Sequence, residues 1–154
     1  MTEYRFGSQV VTGHTFASTS SCFAIYNRSP IVEGHSLILP IRPAKSLLSL
    51  SEGEQALFFG FSRTVTEFLL ENYQCESFDW TIQDGEPAGQ TVPHLHLHVL
   101  PRRPGDIDPG SDWYQQLMES GIDISKRFRL PDETLFAISR RLKENWEEWL
   151  ARRD

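Results

Sequence analysis

The segment "GQTVPHLHLHVL", residues 89–100, sets His94, His96 and His98 at alternate positions among Leu95, Leu97 and Val99. The whole chain of 154 residues holds only five histidines, so three within one short segment demand an explanation. In an extended strand successive side chains face opposite ways, which would gather the three imidazoles on one side and the apolar residues on the other. Three readings compete for such a row. The plainest is a solvated sheet face carrying polar residues. A zinc site is the second, since two imidazoles two residues apart can share an ion. A row spanning about 13 Å cannot converge on one metal, however, and His35 would be the natural further ligand. The third reading is covalent catalysis: an unperturbed imidazole titrates near pH ~6.5, and its neutral form is a nucleophile once the other ring nitrogen is held as a hydrogen-bond donor.

Such a row needs a scaffold, and the flanking sequence predicts one. "SQVVT", "CFAIYN" and "HSLILPI" are short, rich in β-branched and aromatic residues, and separated by turn formers such as Asn27-Arg28-Ser29-Pro30 and Glu33-Gly34. Ser51 with Glu54 three residues on forms a capping box, followed by Leu57, Phe58, Phe61, Val65, Phe68 and Leu69 at helical spacing. A helix is expected over about 52–73. "FDWTIQDG" reads as a strand ending at Asp84-Gly85, with the histidine segment as its antiparallel partner across a loop at 85–93. "DWYQQLMES" suggests a short helix. Leu135, Ile138, Leu142, Trp146 and Trp149 predict an amphipathic C-terminal helix starting near Asp132. The expected class is α+β: an antiparallel sheet of about five strands, a packed helix and a C-terminal helix.

Composition narrows the partners. Apolar residues make up 39% of the chain, with four Trp and ten Phe, enough for one core, and no repeat or linker interrupts it, so residues 1–154 read as a single domain. A net charge of -6, from 21 acidic and 15 basic residues, argues against a nucleic-acid coat or an anionic-membrane binder. Local basic groups, Arg102 with Arg103 and Lys126, Arg127 with Arg129, leave room for a small-anion pocket. The N-terminal stretch lacks a signal-peptide pattern and no window reaches the ~18 apolar residues of a membrane span. A cytoplasmic protein is expected, with the nucleus open as a second location. Cys22 and Cys75 lie far apart without a C-x-x-C and read as packed thiols.

"QDGEPAGQTVPHLHLHVLPRRPGD", residues 83–106, together with "FAIYNRSPIVEGHSLILPIRP", residues 23–43, resembles the histidine triad superfamily and, within it, the fragile histidine triad branch. A histidine at His98 sets it apart from the related nucleotidylyltransferases, which carry glutamine there. "QDG" and "GQTV" point away from the phosphoramidate hydrolase branch. The likeness runs over roughly positions 4–120 and weakens from about 121 onward.

The resemblance implies hydrolysis of diadenosine triphosphate to AMP and ADP, the tetraphosphate less readily, through a nucleotidyl-histidine intermediate. Carried over by position, His96 would be the nucleophile, and His98 would contact phosphate oxygens. His94 and His35 would form a supporting shell. Gln83 would meet the phosphate chain; Gly89, Gln90, Thr91 and Val92 would cradle the phosphate; Asn27 would hold the ribose. A homodimer with joined sheets is also implied. No cofactor held by the protein is expected, and a divalent cation, Mg or Mn, would travel with the substrate phosphates. Pro93 replaces a lysine typical of the branch, the stretch at Ser8 and Gln9 is shifted so that no contact carries over there, and Tyr114 reads as a lid or packing residue. A nucleotide-binding signalling module with slow turnover and a phosphoramidate hydrolase stand as alternatives.

Overall fold

The computed structural model describes residues 2–108, 110–111, 115–116 and 128–153. Five strands form one antiparallel sheet: β3 (Thr15–Ser18), β4 (Cys22–Tyr26), β5 (Ser36–Pro40), β6 (Ser77–Ile82) and β7 (Leu97–Arg102), in the lateral order β3-β4-β5-β7-β6. Ahead of them β1 (Arg5–Phe6) and β2 (Gln9–Val10) make a separate small hairpin. Helix α1 (Glu52–Tyr73) starts where the capping box requires: the Ser51 hydroxyl accepts from the Glu54 N–H, and the Glu54 carboxylate accepts from the Ser51 N–H. The C-terminal helix α2 covers Asp132–Arg153.

Both helices pack on one face of the sheet. Ala24, Tyr26, Ile38, Leu97 and Val99 meet Phe58, Phe61, Val65 and Phe68 of α1 and Leu135, Leu142, Trp146 and Trp149 of α2 in one buried cluster. Each such large side chain contributes roughly 1.5–3 kcal/mol on burial, so this face supplies the bulk of the hydrophobic stabilisation. A smaller cluster of Val11, Phe23, Ile25, Leu37 and Leu39 lies on the opposite face, with Tyr4 and Phe6 packed against it. Pairing across the sheet aligns Thr81, His98, Leu37, Ile25 and Thr15 in one lateral row, one residue per strand.

Two expectations need correction. The stretch "SQVVT" contributes only the two-residue β2 and then a turn of 3-10 helix at Thr12–His14, and the first strand of the main sheet is the unforeseen Thr15–Ser18. The histidine segment is not strand throughout: β7 begins at Leu97, after His94 and His96. Pro93 can donate no backbone bond. The His94 N–H turns back to the Val92 carbonyl and the Leu95 N–H goes to Ala44 instead of a neighbouring strand. Alternation nonetheless survives, with Leu95, Leu97 and Val99 in the helix-side core. The short helix expected in "DWYQQLMES", with Tyr114, falls almost wholly outside the described residues, as do Lys126 and Arg127.

Candidate active site

On the face away from the helices lies a cleft of about 250 Å³ lined by residues from the hairpin, the loop after β4 and the β6–β7 connection. Asn27, Gln83, Gly89, Thr91, Val92, His96 and His98 all line it. Residues separated by some 70 positions in the chain are thus gathered by the pairing of β4, β5 and β7.

Hydrogen bonds to backbone groups define which ring nitrogen carries each proton, because a carbonyl only accepts and an amide N–H only donates. His96 Nδ1 lies 2.8 Å from the carbonyl oxygen of His94, so Nδ1 bears the hydrogen. In the neutral ring Nε2 then carries the lone pair. His35 Nδ1 accepts from the Ile31 N–H at 3.1 Å, which puts the neutral ring's proton on Nε2, and this N–H donates to His98 Nδ1 at 3.0 Å. The His98 proton is thereby assigned to Nε2. Two adjacent imidazoles, with ring centroids 5.0 Å apart, are set in complementary states: His96 as a lone-pair donor, His98 as a hydrogen-bond donor.

His94 and His35 lie behind this pair. His94 donates from Nε2 to the Pro40 carbonyl at 2.8 Å and accepts at Nδ1 from the Gly7 N–H at 3.2 Å. Burial pushes its pKa below the ordinary histidine value, with the Pro40 bond as a lesser opposing influence. Both nitrogens of His94 are therefore occupied, and the ring ties hairpin β1–β2 to the end of β5. His35 is wholly buried, and the Asn27 amide nitrogen lies 3.1 Å from its Nε2 and 3.5 Å from its Nδ1. Asn27 Oδ1 accepts from the Ser29 N–H at 2.9 Å. These engagements also bear on the zinc alternative: among the described residues no group of three or more His, Cys, Asp or Glu side chains is placed to hold a metal ion.

Gln90 does not line the cleft. Its carbonyl oxygen accepts from the Gly85 N–H at 2.8 Å and its amide donates to the Lys45 carbonyl at 2.9 Å, so the side chain braces the β6–β7 loop. Gly85 and Gly89, with φ of 98° and 102°, give that loop conformations that other residues rarely adopt. Its neighbours Gly89, Thr91 and Val92 reach the cleft.

Several cleft residues were not among the site residues expected from the sequence, although Arg129 belongs to the basic group read as leaving room for a small-anion pocket. Phe6, Val11, Ile25 and Leu37 supply apolar walls, while Gln9, His14, Arg28, Ser29 and Arg129 supply polar ones. Phe6 meets the His96 ring edge-on at 4.9 Å. Arg28 pairs with Asp132 at 2.9 Å, and the Leu130 N–H donates to the Arg28 carbonyl, joining the loop after β4 to the start of α2. The shift of register assumed at Ser8 and Gln9 hid one contact: Gln9, on β2, does face the cleft.

Residues 8–105 match the HIT domain family. The nitrilase and fragile histidine triad fusion protein NitFhit of Caenorhabditis elegans is 39% identical over 104 residues, covering 68% of this chain and 23% of that protein. The bis(5'-adenosyl)-triphosphatase of Saccharomyces cerevisiae is 39% identical over 98 residues, 63% of this chain and 48% of that protein. The crystal structure of Plasmodium falciparum diadenosine triphosphate hydrolase in complex with cyclomarin A superposes with a TM-score of 0.64 at 26% identity, covering 77% of this chain and 79% of that one. The chain thus spans about a quarter of the worm protein's length and about half of the yeast protein's. With all five histidines and the whole five-stranded sheet inside the matched span, the chain belongs to the HIT domain family and has fragile histidine triad proteins among its relatives.

Proposed function

We propose that this chain hydrolyses dinucleoside polyphosphates, splitting diadenosine triphosphate into AMP and ADP, with His96 as the nucleophile. The observation that carries this reading is the bond from His96 Nδ1 to the His94 carbonyl, which sets the proton of a cleft-lining neutral ring on Nδ1 and the lone pair on Nε2. The naming of a yeast relative as a bis(5'-adenosyl)-triphosphatase and of a Plasmodium neighbour as a diadenosine triphosphate hydrolase supports the same substrate class.

In the first step His96 Nε2 attacks the α-phosphorus. A nitrogen–phosphorus bond forms, the bond to the bridging oxygen breaks, and ADP departs with that electron pair. Water then adds to phosphorus, the nitrogen–phosphorus bond breaks, and AMP is released. The His98 Nε2–H would donate to a phosphate oxygen, with Gly89, Thr91 and Val92 around the same group and Gln83 beside the phosphate chain. Because the leaving group is already good, orientation and neutralisation of the oxygens are the main contributions asked of the protein. A divalent cation, Mg or Mn, would enter with the substrate and neutralise phosphates outside this cradle. Asn27, already held by Ser29 and lying against His35, would meet the ribose.

The test is to mix the protein with diadenosine triphosphate, quench in alkaline denaturant, which preserves a nitrogen–phosphorus bond, and look for one AMP on His96, while quantifying AMP and ADP in solution. A protein that binds the dinucleotide without forming products would return the reading to a signalling module. Faster cleavage of an adenosine phosphoramidate would move it to the other hydrolase class.

A homodimer belongs to the same proposal. Strand β6 is an edge of the main sheet, and Phe78 and Trp80 on it are exposed, as is Leu57 on α1. An open apolar edge invites pairing with another copy. Sedimentation equilibrium giving a monomer at micromolar concentration would refute this part.

A further inference from the structure

The lateral row across the sheet gives the cleft a direction. From His98 on β7 it passes over Leu37 on β5 and Ile25 on β4 to Thr15 on β3, three inter-strand steps or about 14 Å. The two triad imidazoles lining the cleft stand at one end, and Leu37, Ile25 and Val11 make an apolar floor in the middle. His14, adjacent to Thr15, closes the far end. A single nucleotide with its phosphate at the triad end would lay its base along that floor, with the base's outer edge toward His14.

His14 is an unusual wall. It is more than nine-tenths buried, it lines the cleft, and among the described residues its ring makes no hydrogen bond. Phe136 of α2 lies against the ring with centroids 5.5 Å apart. The same phenylalanine closes on Gly13, where an added Cβ would stand 2.9 Å from its ring. The imidazole is held by apolar contact, and its ring nitrogens bond no described residue and are not sealed from solvent, so they stay available to a ligand in the cleft.

Resting on the nucleotide reading of the cleft, we propose that His14 reads the outer edge of a purine base and makes the protein selective for purine over pyrimidine nucleotides. A purine's six-membered ring reaches farther from the sugar than a pyrimidine does. Its edge carries both donors and acceptors, and a neutral imidazole offers one of each. Burial, and then the charge of Arg28, lower the pKa of His14 and keep the ring neutral, with Asp132 opposing them. A pyrimidine would sit on the same apolar floor and stop short of His14. A site left with an unpaired polar group discriminates against the ligand that fails to pair it.

The experiment measures binding of AMP, GMP, UMP and CMP by calorimetry to the wild-type chain and to His14→Phe, His14→Leu and His14→Gln. Two apolar variants are used so that one failing to fold does not decide the outcome. The wild type should favour AMP and GMP over UMP and CMP about tenfold or more. The apolar variants should lower that ratio about three- to tenfold, the worth of one hydrogen bond, and His14→Gln should retain part of it. Folded apolar variants with an unchanged ratio, or with equal losses for purine and pyrimidine, would overturn the inference. A wild type without turnover of diadenosine triphosphate that still showed the expected ratios would sink the hydrolase reading and leave this one standing. A wild type that bound no mononucleotide would overturn both.

Discussion

The two ends of the cleft are built by different means. At the triad end, backbone groups only a few residues away set the imidazoles: the His94 carbonyl holds His96, and the Ile31 N–H orients His35, which in turn orients His98. At the far end, His14 and Arg28 are held by Phe136 and Asp132, more than 100 residues away and outside the span that matches the family. Local backbone chemistry fixes proton positions, which reactivity needs. Long-range side-chain packing fixes shape, which choice of ligand needs. If this division holds, substitutions at the triad end should act on turnover, and those at the far end on which nucleotide binds.

The sharpest break would come from His96→Asn. Loss of a covalent nucleophile should lower turnover of diadenosine triphosphate by on the order of 10⁴ or more, while AMP binding stays within a few-fold. Single-turnover kinetics and calorimetry on the same preparation check this. Turnover near the wild-type level would end the covalent mechanism. Next in size is His98→Ala, which removes the N–H proposed to meet the phosphate and takes the His98 contact away from His35 Nε2. A fall of about 10²–10³ in turnover is expected, the usual cost of losing one donor to developing charge, again with the AMP-to-UMP ratio unmoved.

How far the sequence alone reaches follows the same division. Helix α1 was readable to the residue, because a capping box and an apolar spacing are local signals; the antiparallel pairing of "FDWTI" with the histidine segment was readable too, but not that the strand starts only at Leu97. His94, His96 and His98 announced themselves by alternation. Their different duties could not be read that way: whether a ring is satisfied on both sides, as His94 is, depends on Gly7 and Pro40 arriving from other elements. His14 was invisible for a related reason. It sits on an irregular turn with no periodicity, and its neighbour Phe136 belongs to a helix whose pattern announces only the buried stripe of Leu135, Leu142, Trp146 and Trp149. At Gln90 a motif position suggested a ligand contact, and the structure adds what the motif does not show, a side chain that braces its own loop.

A smaller effect concerns pH. His94 has a folded pKa lowered beneath the ordinary 6.5, so between the two values the unfolded chain binds a proton that the folded chain refuses. His94 therefore contributes stability that is fully present above about pH 6.5 and is lost as pH falls through the lowered value. His14 shifts in the same direction and adds to the trend. Melting temperatures should drop between about pH 7.5 and 5. His94→Asn should melt lower at neutral pH, by about 1–3 kcal/mol of lost stability for groups left unpaired at Gly7 and Pro40, yet with a shallower slope. Parallel slopes would show that His94 is not the titrating group.

The smallest expected effect tests the far end without touching it. Phe136→Ala removes the ring that holds His14 but no group that could meet a nucleotide, since Phe136 does not line the cleft. Freed of that contact, the imidazole would still reach a purine edge for part of the time, so the AMP-to-UMP ratio should shrink by only about two- to threefold, less than a whole hydrogen bond. Packing alone would predict something else. If Phe136 served only to bury α2 against the 3-10 turn, its loss would lower the melting temperature and weaken both nucleotides equally. A double-mutant cycle with His14→Phe separates the two cases, because the selectivity lost through Phe136 should vanish once His14 no longer has a polar edge to aim.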